Sequence, residues 1–200
     1  MHAIDQSVRL GPNGVLSGAR VAVTGGAGFI GSHVVTRLLA AGADVKIVDD
    51  LSTGRIDKLR EAFACGLADT DIRVCDVRSA DCATAIVGWR PYCVVHLAAQ
   101  ASLSAARHAP LFDADVNIRG TVNVLDACVR AGVGLVVYAT SSAIYGQVQP
   151  GHLPVSERTP IVPTSPYGLS KATALRYLDW YRQNHNLAYV ALALGNVYGP

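Results

Sequence analysis

The sequence predicts an α/β fold built on a doubly wound parallel sheet. Two observations predict it. From Arg20 onward, short apolar runs rich in Val, Ile and Ala alternate with longer segments of helical period, the pattern of repeated strand-helix-strand units around a buried sheet. A glycine-rich run, Thr24 to Gly31, then stands where the first strand gives way to the first helix.

Six strand candidates follow in order: Arg20 to Thr24, Asp44 to Asp49, Ile72 to Asp76, Cys93 to Ala98, Leu135 to Thr140 and Tyr189 to Leu194. In the first crossover, Ile30, Val34 and Leu38 recur at i, i+4 and i+8, with Val35 and Leu39 beside them and Gly42 as a stop. That spacing predicts a helix packed on the sheet. The other crossovers are read over Thr53 to Ala64, Asp81 to Trp89, Val116 to Ala131 and Tyr167 to Asn184, and right-handed connection of such units gives the double winding. Residues 1–19 are rich in glycine without periodicity and are read as a polar leader, leaving residues 20–200 as the folded unit. Gln147 to Ser165 carries Pro150, Pro154, Pro160 and Pro163 and is read as a long surface loop.

Composition narrows the function. Half of the 200 residues are apolar and 16% are charged, enough for one sizeable core. The net charge is +2 and the basic residues are scattered, so there is no cationic stripe to neutralise nucleic-acid phosphates. No stretch reaches the ~20 apolar residues of a membrane span, and the N-terminal segment lacks a signal-peptide core. A soluble, cytoplasmic protein is expected, with neither a nucleic-acid nor a membrane partner. Cys65, Cys75, Cys82, Cys93 and Cys128 show no C-x-x-C spacing, so neither disulfides nor a metal site is expected.

The glycines at 25, 28 and 31 remove side chains where backbone must approach a pyrophosphate, and the helix that follows turns its amide hydrogens and positive dipole end toward the anion. Asp49 follows at the end of the second strand, about 20 residues on, where a carboxylate accepts the ribose hydroxyls of a bound dinucleotide. Asp50 beside it adds negative charge that would repel a 2′-phosphate, which favours NAD over NADP.

Tyr167 and Lys171 lie at i and i+4, on one face of a helix. A free phenol titrates near ~10 and is a poor base at neutral pH, and an adjacent cation is expected to favour the phenolate. Lys171 is also within reach of a nicotinamide ribose.

Thr24 to His33 reads T-G-G-A-G-F-I-G-S-H and Asp49 to Gly54 reads D-D-L-S-T-G. With these blocks and others in order, the sequence from Val21 to Pro200 resembles the sugar-nucleotide epimerase/dehydratase branch of the extended short-chain dehydrogenase/reductase family. The resemblance implies a Rossmann fold with NAD as cofactor. It adds Phe29, Ile30, Ser52, Thr53 and Gly54 to the cofactor site, places Asp76 and Val77 beside the adenine, and makes Leu97, Ala98, Ala99 and Gln100, after His96, the nicotinamide wall. Asn117 and Thr140 join the same set, while His96 itself is read as a support for a strand end. Ser141 matches the family's hydroxyl-bearing catalytic residue, with Ser142 as the less favoured candidate and also a substrate contact. Asn196 matches a residue that touches the phosphates of the sugar nucleotide. Asp50 departs from the family's usual Asn, and Ala193-Leu194 from its frequent Arg-Tyr.

The chemistry implied is NAD-dependent epimerisation of a UDP-linked sugar through a transient 4-keto intermediate, with Tyr167 as base and Ser141 and Lys171 as catalytic partners. Relatives that dehydrate or decarboxylate carry an acid two residues before the Tyr of the Y-G pair, and dehydratases often a second just ahead of it. This chain has Ala143 and Ser142 there. The alternatives are a dehydratase, decarboxylase or reductase on the same scaffold, and a catalytically silent NAD-binding fragment. The family continues past the position of Pro200 into a C-terminal substrate domain that is absent from this sequence, so the 200 residues alone are expected to turn over slightly or not at all. Relatives also pair through the helices matching Val116 to Ala131 and Tyr167 to Asn184. A homodimer is therefore expected, with Leu175, Leu178 and Tyr181 supplying its apolar face or else packing on the sheet.

Overall fold

The computed structural model describes residues 16–199; most of the expected polar leader, residues 1–15, lies outside them. Strands β1 (Arg20–Thr24), β2 (Asp44–Asp49), β3 (Ile72–Val74), β4 (Cys93–His96), β5 (Leu135–Ser141) and β6 (Ala188–Leu194) form one sheet in the order β3-β2-β1-β4-β5-β6. Every neighbouring pair is parallel. The strand order reverses between β1 and β4, and in open α/β sheets ligands bind in the crevice above the carboxyl ends at that point. Here the crevice is flanked by Thr24 and His96, partners in register at the ends of their strands.

Side-chain alternation along the strands divides the core. Val21, Val23, Val45 and Ile47 pack with Val35 of α1 (Phe29–Ala40) and Ala62 of α2 (Arg60–Ala64) on one face. Ala22, Val94, Val136 and Tyr138 pack on the other with Ile86 of α3 (Ala80–Trp89), Leu125 and Cys128 of α6 (Thr121–Ala131) and Leu178 of α7 (Pro166–His185). Ile47, Leu125 and Leu178 are essentially sealed from water, and burying each contributes about 1.5–3 kcal/mol. Along β6, Tyr189 and Ala191 join this second cluster, whereas the alternate residues Val190 and Leu192 remain 47% exposed on the opposite face.

Four elements differ from expectation, each for a local reason. β3 ends at Val74 because Asp76 turns back to accept from Arg78 N (2.7 Å) and the Arg78 guanidinium. β4 ends at His96 because, after Leu97 N makes the last ladder bond to Thr24 O (3.1 Å), Ala98 N turns to the Thr24 hydroxyl (3.3 Å) and not to a neighbouring strand. The second crossover becomes helical only at Ile56, since Arg55 N is spent on Ala27 O (3.0 Å). The helix read from Val116 opens instead with a π-turn over Asp115–Gly120. Ahead of it run two short helices the periodicity did not reveal, α4 (Leu103–His108) and α5 (Pro110–Ala114). Leu103 and Leu111 are 48% and 86% exposed, so these helices carry no buried stripe to read. Gln147 to Ser165 is the expected surface loop, with one 3-10 turn at Pro150–His152.

Leu178 and Tyr181 are buried in the chain's own core and Leu175 packs against it, so the three residues pack on the sheet. The exposed aromatics of α7 are Tyr177 (39%) and Trp180 (49%). Among the described residues no helix is long and apolar enough to cross a membrane.

Candidate active site

The turn between β1 and α1 is shaped by what its glycines lack. Gly25 has φ +70°, and a Cβ there would stand 2.7 Å from Ala98 N at the end of β4. A Cβ on Gly31 would run into the carbonyl of Gly25. These two glycines let strand, turn and helix close on one another, whereas a Cβ on Gly28 would approach only the Gly25 carbonyl, at 3.1 Å. Gly28 is the N-cap of α1, which has no side-chain cap. The first-turn N–H groups at the positive end of the helix therefore have no side-chain cap beside Gly28, an arrangement that could hold an anion. Phe29, 37% exposed and edge-on to His33 at 5.7 Å, and half-buried Ile30 flank it.

Asp49 ends β2 beside this turn and is 6% exposed. One carboxylate oxygen accepts from Ala27 N and the other from Leu51 N, both at 2.9 Å. Each oxygen keeps a lone pair, so the group is oriented without being saturated. Gly54 makes room for it, since a Cβ there would lie 2.6 Å from Asp49 Oδ1. Asp50 is exposed and accepts from Ser52 N (3.0 Å) and Ser52 Oγ (2.6 Å); Ser52 and Thr53 are exposed.

On the other side of β1, hydroxyls and one imidazole make a directed chain. Thr121 Oγ1 donates to Asn117 O (2.7 Å), so it accepts from His96 Nε2–H (3.0 Å). That assigns the tautomer: His96 Nδ1 carries no proton and accepts from Thr24 Oγ1 (2.6 Å), which accepts from Ala98 N. Total burial and the neighbouring Lys171 charge push the imidazole down to about 3. His96 is thus a neutral brace between β1, β4 and α6.

Beyond it, half-buried Leu97, Ala98, Ala99 and Gln100 line the end of β4. Asn117, 1% exposed, grips this segment from the π-turn: its Oδ1 accepts from Gln100 N (2.9 Å), and its Nδ2 donates to Gln100 O (3.0 Å), Asp113 Oδ1 (3.1 Å) and Ser170 Oγ (3.1 Å). Asp76 is held by Arg78, which also pairs with Asp115, and Asp115 with Arg119. The guanidinium holds the Asp76 carboxyl below its ordinary range. Val77 is buried, against Gly120.

The hydroxyl cluster forms where β5 ends and α7 begins. Ser165 caps α7 by accepting from Gly168 N (3.1 Å), with Pro166 in its first turn. This fixes the start of the helix so that Tyr167 comes near Ser141, the last residue of β5, whose hydroxyl acts to lower the pKa of the phenol. Ser141 Oγ also accepts from Ala143 N (3.2 Å), whereas Ser142 points to solvent. Thr140 is 4% exposed and its hydroxyl has no hydrogen-bond partner. One turn along α7, Lys171 is 3% exposed, donates to Ala139 O (3.0 Å) and lies 4.9 Å from the Tyr138 ring centre.

The expected depression of the Tyr167 pKa is not what the geometry gives. Burial pushes the phenol above its ordinary value, and the nearby Ser141 hydroxyl offsets only part of that. Lys171 is itself so buried that it falls to about 8, with Asp113 pulling the other way.

Comparison with known proteins places the chain in a family. Residues 21–200 match the profile of the NAD dependent epimerase/dehydratase family. The chain belongs to that family. It is 41% identical over 182 residues to the UDP-glucose 4-epimerase of Mycolicibacterium smegmatis, covering 90% of this chain and 57% of that protein. Against the enzyme of the same name from Lacticaseibacillus casei the identity is 35%, with 90% and 52% covered. Among solved structures, the Thermus thermophilus UDP-glucose 4-epimerase in complex with NAD superposes with a TM-score of 0.83 at 41% identity, covering 90% of this chain and 56% of that one. The Thermotoga maritima UDP-glucose 4-epimerase with UDP-glucose gives 0.82 at 36%, with 90% and 57% covered. The chain spans about half the length of the curated relatives it matches.

Within this epimerase/dehydratase scaffold, the residues singled out from sequence fall into two groups. The glycine turn, Asp49, the β4 segment and Ser141 stand at the carboxyl ends of β1, β2, β4 and β5, with Tyr167 and Lys171 on α7 beside β5. Asp76 is engaged with Arg78, Asn117 is enclosed among protein groups, and Asn196 is exposed in the segment after β6. Sequence reading missed Thr24 and Thr121, which fix the His96 tautomer, and Asp113, a fully buried acid. Asp113 stands four residues before Asn117. That i, i+4 pairing was a usable signal had the segment been recognised as helical.

Proposed function

We propose that this chain is the dinucleotide-binding part of an NAD-dependent nucleotide-sugar 4-epimerase acting on a UDP-linked sugar. The observation that carries the reading is the meeting of Ser141, Tyr167 and Lys171 at the sheet edge that also holds the glycine turn. A dinucleotide fits the residues present. Its diphosphate would lie on Gly28 and the first turn of α1, Asp49 would take the adenosine ribose, and the wall from Leu97 to Gln100, with Thr140, would border the nicotinamide. Lys171 would reach the second ribose. The paired acids Asp49 and Asp50 favour NAD over NADP.

When bound, NAD supplies a reversible hydride acceptor at the reacting carbon. The protein's own groups manage the proton and the geometry. Tyr167 takes the proton of the sugar 4-hydroxyl and returns it after the ketone has turned its other face. Ser141 hydrogen-bonds the same oxygen, and Lys171 supplies the positive charge that offsets the cost of a buried phenolate. The proton that Tyr167 takes is the one it gives back, and because burial raises the phenol's pKa the phenol so formed keeps that proton until the return step. No carboxylate stands in the turn Ser142–Tyr145 to shift a proton at the neighbouring carbon, which supports epimerisation over dehydration.

We further assign the exposed aromatics Tyr177 and Trp180 to a homodimer contact. With Thr173, Arg176 and Tyr181 they line an open groove of about 400 Å³ on α7. A cytoplasmic location is supported by five unpaired cysteines, of which Cys82 and Cys93 are pushed up to about 12 by burial and are inert thiols. The test is product analysis with protein from the complete reading frame, NAD and UDP-glucose. An epimer of unchanged mass is expected; loss of water would assign a dehydratase instead, and a product two mass units lighter with NADH formed would assign a dehydrogenase.

A further inference from the structure

Asp113 is a buried acid that the proposed reaction does not use. It lies in α5, is 1% exposed, and accepts with one oxygen from Gln100 Nε2 (2.9 Å) and Asn117 Nδ2 (3.1 Å). Its other oxygen has no hydrogen-bond partner. Across the packed helices lies Lys171, equally enclosed, with Ala139 O as the acceptor of its ammonium. The two charges do not touch. They are linked through Asn117, whose Nδ2 reaches Asp113 Oδ1 on one side and Ser170 Oγ, next to Lys171, on the other.

A buried ammonium is costly unless an opposite charge shares its low-dielectric surroundings, where attraction persists beyond contact distance. We propose that Asp113 is a positioning residue whose charge holds buried Lys171 in its ammonium form. The purpose of that charge rests on the catalytic reading of Tyr167 and Lys171 given above, but the electrostatic pairing itself does not. The other titratable groups around Lys171 are Tyr138 from β5, His96 from β4, and Tyr167 on its own helix. None of these carries negative charge at neutral pH. From the π-turn, Asp115 is paired with Arg78 and Arg119; from α4, Arg107 and His108 are exposed, as is Asp126 on α6. Asp113 is therefore the enclosed anion on this side of α7. Its influence runs consistently through the site, opposing the effect of burial on Lys171 and pushing the phenols of Tyr167 and Tyr138 upward.

The chain has three lysines, Lys46, Lys58 and Lys171, so a carbon-13 NMR titration of the lysine Cε signals resolves them, with Lys171→Arg giving the assignment. In the wild-type protein the Lys171 signal should titrate with a midpoint of about 8. In Asp113→Asn, which keeps the shape and removes the charge, the midpoint should fall by about one pH unit. An unchanged midpoint would overturn the proposal. Asp113→Glu and Asp113→Gln repeat the comparison with a longer side chain in case the first variant does not fold; the acid should preserve the midpoint and the amide lower it. Failure of the epimerase reading would leave this titration as it is, and failure here would leave the product analysis unaffected.

Discussion

The imidazole of His96 and the hydroxyl of Thr24 meet at 2.6 Å across the ends of β4 and β1, at the point where the strand order reverses. This bond requires an unprotonated Nδ1, because the opposite ring nitrogen donates to Thr121. Acid therefore attacks the fold at this brace. The folded pKa of about 3 lies below the ordinary 6.5, so the unfolded chain binds the extra proton between those values. Stability is fully present above pH 6.5 and is lost as pH falls toward 3, at ~1.4 kcal/mol per unit in the steepest region. In urea denaturation at stepped pH, His96→Gln should be less stable at pH 7 by about 1–3 kcal/mol yet show a flatter profile from 6.5 to 3. A parallel profile would remove His96 from the account.

Lys171 follows the same sign at higher pH. Its folded pKa of about 8 lies below the ordinary 10.5, so stability should rise as pH increases through that interval. The double variant Lys171→Met, Asp113→Asn removes both buried charges together and should leave stability at pH 7 unchanged or up to about 2 kcal/mol greater, while turnover of the complete protein falls at least a hundredfold. A destabilised variant would contradict the claim that burial of this ammonium is tolerated for function.

The glycines of the first turn should separate by role. Gly31→Ala places a methyl group against the Gly25 carbonyl and should cost about 3 kcal/mol or more, through forced separation of α1 from the turn. Gly28→Ala meets one carbonyl at 3.1 Å and should fold nearly as well as the parent while binding NAD at least tenfold more weakly. Thermal unfolding and fluorescence titration read the two effects apart.

Tyr167→Phe removes one half-buried hydroxyl near Ser141. The melting temperature and NAD affinity should stay close to wild type, and kcat should fall by about 10²–10⁴. A variant of undiminished kcat would exclude the phenol from proton transfer.

Much of this architecture is legible because the strands are short, apolar and bounded by turn residues, and because the stripe of α1 repeats over three turns. Gly25 and Asp49 likewise stand at strand ends that the sequence marks clearly. What escaped were features that periodicity does not encode. Helices α4 and α5 bury little, so no stripe betrays them, and Asp113 was missed with them. The Tyr167-Lys171 spacing correctly places both groups on one face, but spacing says nothing of depth. Burial raises the phenol and lowers the amine, against the expectation that the adjacent cation favours the phenolate. Leu178 and Tyr181, read as a possible dimer face, answer instead to the sheet beneath α7.

The central claim is that a dinucleotide lies across the carboxyl edge of this sheet, with acids at its adenosine end. Calorimetric titration of the purified chain with NAD and then NADP tests it most directly. One NAD site per chain is expected, with NADP bound at least tenfold more weakly and the preference reduced in the double variant Asp49→Asn, Asp50→Asn. Absence of NAD binding by the folded chain, or equal affinity for the two dinucleotides, would contradict it.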